Sequence, residues 1–271
     1  MALDLTQQRN YIQTLDLPQR PLSLSTMGPT TESITNTVFD QAKEQAQVVG
    51  SGVFSFAVGV DDEVRAAISD SSLLAQLVAN KKVNSEKDPI GWFKAYSEVL
   101  ENVGWVLQDK SWDDYTSSGI AAEVHQKIIE VMTAALAPSP ATLLILAATV
   151  RALQAQDPTS SWMKIFSRET QKARMAKFQI GLVEKGERDD LFVSLIACVV
   201  ESKIDITHVL FFNYRTAKAT FEARTEKVSI NRASLTALHD DVLARTRAYQ
   251  RAFLSSIEDL PPLPDEDEPK Q

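Results

Sequence analysis

The hydrophobic period of the chain shifts from helical to strand-like at about residue 174 and returns to helical near residue 229. Before the first of these points apolar residues recur every three or four positions, which places them on one face of a helix. After it they alternate, as on a strand with one face buried. A chain that separates its periods in this way is expected to fold as α+β. The expectation is a mainly helical N-terminal two-thirds, a four-stranded antiparallel meander over about 174–228 and a long C-terminal helix, intertwined as one domain.

The helical part has its own punctuation. A short amphipathic helix is expected over 34–48, and the glycine-framed run 50–59 fits either a strand or a tight packing segment. Asp61-Asp62-Glu63 then places three acids in a first turn, where they complement the helix dipole. Val64, Ile68, Leu74, Leu77 and Val78 follow as its stripe. Asp88-Pro89 opens the next helix, whose apolar face carries Trp92, Phe93, Tyr96, Val99 and Leu100. Ser117 or Ser118 suits the cap of a third, carrying Ile120, Val124, Ile128 and Val131. A fourth helix over 141–156 is apolar nearly all round at its start, the mark of a buried helix. A short fifth covers 162–172.

In the alternating part, strands are expected over 176–182, 191–200, 206–214 and 216–228, joined by short polar turns. The run 191–200 is apolar on both faces, as in a strand covered on both sides. Asn231 caps a helix over 229–260, which Pro261-Pro262 ends. Residues 1–30 read as an extended arm, 31–260 as the single domain and 261–271 as a disordered acidic tail.

Composition narrows the function. With 28 Lys+Arg against 36 Asp+Glu, the net charge of −8 speaks against a phosphate-backbone binder. The basic groups Lys81-Lys82 and Arg245, Arg247 and Arg251 are small. Phosphate-loop, dinucleotide-loop, nucleophile-elbow and His-Glu-x-x-His patterns are all absent, so neither a nucleotide nor a metal is expected. Residues 1–16 lack the basic start and apolar run of a secretory signal. The most apolar stretch, 141–150, is half of the roughly 20 residues that a membrane span needs. A soluble chain of cytoplasmic synthesis is expected, and signal-independent secretion would leave no mark.

One cysteine allows no intramolecular disulfide and no multi-cysteine metal cage. Cys198 lies in the most apolar strand, where a free thiol ordinarily serves as a small buried hydrophobe. A hairpin centred on Lys203 sets Cys198 opposite His208, a possible base for acyl chemistry. A two-residue turn at Ser202-Lys203 sets it opposite Thr207 instead. His125 and His239 fall in helices among charged neighbours. A thiol among Leu, Ile and Val beside an apolar helix suits a fatty acyl thioester, since chain burial is favourable and exclusion of water protects the bond.

The length, the helices before a sheet, the lone late cysteine and Phe192-Val193-Ser194-Leu195-Ile196-Ala197-Cys198-Val199-Val200 resemble the Erwinia virulence factor family. The resemblance implies an intertwined α/β fold that carries palmitate on one cysteine, matched here by Cys198, and a role in bacterial persistence in an insect gut. It implies a fatty acid or acyl donor as partner, with the protein a carrier or an acyl-transfer intermediate. The alternative is a non-enzymatic interaction or membrane-acting toxin-like protein, with Cys198 merely core and Trp92, Trp105, Trp112 and Trp162 as membrane-contacting aromatics.

Overall fold

A strand with no solvent-facing side needs a layer on each of its faces, and Leu191–Glu201 has both. In the computed structural model, residues 4–19, 40–107, 112–116, 123–136, 140–155, 160–186, 190–211 and 213–257 are described. In chain order the first half gives α1 (Leu5–Thr14), β1 (Gln45–Val49), β2 (Gly52–Phe56), α2 (Asp62–Lys82), α3 (Pro89–Glu101), β3 (Trp105–Val106) and β4 (Asp113–Asp114). The second gives α4 (Val124–Leu136), α5 (Pro140–Ala155), α6 (Ser161–Thr170), β5 (Gln171–Lys172), β6 (Met175–Lys185), β7 (Leu191–Glu201), β8 (Thr220–Ile230), α7 (Arg232–Phe253) and β9 (Leu254–Ile257).

These strands form one mixed sheet of nine, ordered β3-β8-β7-β6-β2-β1-β9, with β4 beside β8 and β5 beside β6. The four-stranded meander is therefore corrected. Three long strands of the expected region do pair antiparallel, with β7 between β6 and β8 along all eleven of its residues. The expected strand over 206–214 does not form among the described residues of that range. There Ile206 N–H donates to Ala173 and the chain turns through a 3-10 turn, Val209–Phe211, into the layer beneath α4.

The N-terminal part is also not simply helical. The run 50–59 resolves as the turn and second strand of a hairpin, in which β1 pairs with β2 around Gly50 and Ser51. Gly50 has φ +54°, the left-handed backbone that favours glycine at the first position of such a turn. β2 then runs parallel to β6, from Gly52 opposite Gln179 to Phe56 opposite Val183, which makes the sheet mixed. Of the helix expected over 34–48, residues 45–48 are strand and those before 40 lie outside the described residues.

The ends depart in the same way. Within the expected extended arm, Leu5–Thr14 is a helix with a capping box, and Ile12 is fully buried. Asn231 does cap α7, its side chain accepting from Ser234 N–H at 3.1 Å. The chain leaves that helix early, however, and β9 pairs antiparallel with β1. The expected tail over 261–271 lies outside the described residues.

Two helical layers cover the sheet. On one face α1, α2, α3 and α7 bury Ile12, Leu74, Leu77, Trp92, Leu100 and Leu238 against Phe54, Leu195 and Val199. On the other, α4, α5 and α6 bury Ile128, Leu146, Trp162 and Phe166 against Phe178, Ile196 and Cys198. Arg65 of α2 locks the first layer to the sheet. Its guanidinium, fully buried, donates to the carbonyls of Val60, Lys43 and Ala57 and to Gln45 Oε1 at 2.7–3.0 Å. Arg65→Met strands these acceptors in the core and is expected to cost at least about 3 kcal/mol in chemical denaturation.

Candidate functional site

The side-chain alternation of β7 points Cys198 toward α4, α5 and α6, together with Ile196 and Val200. Its lateral neighbours are Phe178 of β6 and Ala223 of β8. The thiol is completely buried, and burial pushes its pKa well above the ordinary value. A thiol held neutral in this way is a poor nucleophile. The thiol is close-packed among apolar side chains.

His208 is not part of that pairing. Neither it nor Thr207 lies opposite Cys198, because β7 returns to β8 rather than to the segment that follows it directly. His208 is exposed, at the edge of a shallow surface depression that is open to solvent. Met163 and Phe166 of α6, Gln171 of β5, and Val209 and Leu210 line the remainder. Met163, Phe166, Val209 and Leu210 also belong to the apolar cluster that contains Cys198. The concavity is thus the outer edge of the same layer.

The opposite face of the sheet carries a site that the sequence pattern conceals. Alternation in 176–182 places Lys177, Gln179 and Gly181 on one side, normally the solvent side. Here that side faces α2 and α3, and Lys177 and Gln179 are 3% and 0% exposed. Gln179 Nε2 donates to Tyr96 Oη at 2.9 Å, and the Tyr96 and Ser72 hydroxyls share a 3.0 Å bond. Gln76 Oε1 accepts from Ser51 N–H and Oγ–H at 2.9 and 3.1 Å, while its Nε2 donates to Val49 O at 2.7 Å. Lys177 Nζ lies 3.5 Å over the Trp92 ring and donates to Ser51 Oγ at 3.5 Å. Burial lowers its pKa from 10.5 to about 7, and nearby Glu169 offsets only part of that effect. Gln179 Oε1 is buried with no partner among the described residues.

The remaining sequence candidates are structural. Trp92, Trp105 and Trp162 are at most 3% exposed, and the half-buried Trp112 packs on Phe93 at 5.2 Å. Trp92, Trp105 and Trp162 are thus core residues, and Trp112 lies at the edge of the core that holds Trp92 and Trp105. His125 Nδ1 lies 3.0 Å from Leu210 O and ties α4 to the 3-10 turn. His239 Nε2 lies 3.0 Å from Asp70 Oδ2, joining α7 to α2. Among the described residues no group of three or more His, Cys, Asp or Glu converges as metal ligands, and no helix is long and apolar enough to cross a membrane. No protein-family model matches the chain, and no curated protein matches it in sequence.

Two measurements test this geometry. Cys198 is expected to react with a thiol reagent at least about a hundredfold more slowly in the folded protein than in denaturant. Tyr96→Phe leaves Gln179 Nε2 and the Ser72 hydroxyl without their partner, and is expected to lower stability by about 1–3 kcal/mol in denaturant titration.

Proposed function

We propose that the protein holds a long-chain fatty acyl group of palmitate type as a thioester on Cys198, in the layer between the sheet and α4, α5 and α6. The observation that carries this reading is the continuity of one apolar cluster from the Cys198 thiol to the concavity beside His208. A chain attached at Sγ would run among the mainly apolar side chains of that cluster, with the buried Ser55–Thr149 pair and Ser194 on the same face. Burial contributes about 0.8 kcal/mol per CH₂ and on the order of 10 kcal/mol for a whole chain, enough to offset local repacking. The resemblance to the Erwinia virulence factor family supports the choice of the same cysteine and, with it, a role of the bacterial virulence type.

The geometry favours a carrier over an acyl-transfer enzyme. Transfer needs a base within hydrogen-bond reach of the sulfur. Cys198 faces Phe178 and Ala223, and His208 stands on the rim. The buried thiol has first to become accessible, so acylation takes place before this layer closes or while the 206–211 segment is displaced. Once formed, the thioester is shielded from water by the same packing that makes the free thiol inert.

Intact mass of protein purified from its native source, before and after neutral hydroxylamine, tests the proposal. The expected result is an excess of one fatty acyl group that hydroxylamine removes and that Cys198→Ser lacks. An unmodified mass would overturn it and leave Cys198 as core packing.

A further inference from the structure

Helix α2 is gripped from two sides, and each grip contains a basic group, Lys177 on one and His239 on the other. On the sheet side, Gln76 and Ser72 enter the buried cluster of Ser51, Tyr96, Gln179 and Lys177. On the other side, Asp70 Oδ2 meets His239 Nε2 at 3.0 Å, and Asp70 Oδ1 accepts from Gln250 Nε2 at 2.6 Å, both from α7. We propose that α2 is a pH-responsive tie between the sheet and α7: acidification weakens its hold on the sheet through Lys177 and strengthens its hold on α7 through the Asp70–His239 pair.

Full burial on the sheet side disfavours the ammonium form of Lys177, while the face of Trp92 at 3.5 Å acts in the opposite sense as a cation–π contact. An ammonium has three N–H donors, and Lys177 has one 3.5 Å bond to a hydroxyl and the face of Trp92. No carboxylate pairs with it among the described residues. Charges acting on it come from Glu169 of α6 and, with opposite effect, Lys172 of β5. From α3 it meets the Trp92 ring and neutral Tyr96, whose hydroxyl burial keeps protonated. The Arg224–Glu226 pair of β8, at 3.5 Å, lies on the same face and bonds to Ser97 of α3.

The α7 side is built for a cation. The Asp70 hydrogen bond raises the pKa of His239, and Asp240 of its own helix and Glu63 of α2 add to the effect. Beyond it, Arg9 of α1 pairs with Asp241 at 3.2 Å.

The two signs are opposite. Lys177 titrates lower in the closed structure than when exposed, so its destabilising cost is fully present below about pH 7. That cost is relieved as pH rises from about 7 toward 10.5. His239 titrates higher in the closed structure, so its contribution is complete below its ordinary value of 6.5 and is lost as pH rises through the raised one. In the native protein the two effects oppose one another, and each is unmasked by removing the other.

Amide hydrogen exchange of α2 between pH 6 and 9, corrected for intrinsic rates, reads the result in the native protein, Lys177→Met and His239→Gln. In His239→Gln the opening constant of α2 is expected to fall as pH rises above about 7, by up to tenfold per pH unit. In Lys177→Met the trend is expected to reverse. Because Lys177→Met removes a buried group, titration of the Lys177 Cε resonance in the unaltered protein provides an independent readout, with a midpoint near 7 expected. A Lys177 midpoint near 10.5, or identical pH dependence in the native protein and both variants, would overturn the proposal.

Discussion

The strand β7 has no face to give to water, and the rest of the architecture follows from that constraint. Its apolar residues require β6 and β8 along both edges and a helical layer over each face. The helices that precede it in the chain supply most of both layers. The edges of the sheet are then finished by distant segments, with β9 at the C-terminal end completing β1 near the N-terminal end. A long-range closure of this kind ties the C-terminal end of the described chain to its first strand, and the two layers depend on one another through a shared sheet.

The two layers are chemically unlike. The face that carries Cys198 is mainly apolar, with Ser194 and the hydrogen-bonded Ser55–Thr149 pair among its buried polar groups. The opposite face admits a connected set of polar groups, Ser51, Ser72, Gln76, Tyr96, Lys177 and Gln179, in place of cheaper aliphatic residues. Such a network fixes the position of α2 and α3 on the sheet only while every member keeps a partner. Gln179 Oε1 and the weakly bonded Lys177 are its two loose points. Gly50 shows how closely it is built, since a Cβ there would come within 2.4 Å of Gln76 Oε1.

Much of this was legible in the sequence, and the failures have physical causes. The double-sided burial of β7 and the placement of Cys198 within it follow from an apolar run with no polar phase. The partner of Cys198 does not follow. Hairpin arithmetic assumes that the next segment is the next strand, yet 206–211 enters the helical layer and β8 pairs instead. Lys177 was hidden because alternation reports polarity, and polarity is normally solvent; here the polar phase is covered by α2 and α3. β1 and β2 have five residues each, too few for either period to declare itself. β9 was hidden because Phe253 and Ile257 fit a helical stripe as well as they fit the end of a helix followed by a short strand.

The central claim is that the Cys198 face of the sheet holds the acyl chain. The most direct measurement uses isotope-filtered NOEs from a ¹³C-labelled palmitoyl chain on the loaded protein. The account predicts contacts to the methyl and ring protons of Ile128, Leu146, Phe166 and Leu210, and none to α2 or α3. Contacts confined to the α2–α3 layer, or a chain with no NOEs to protein side chains, would contradict it.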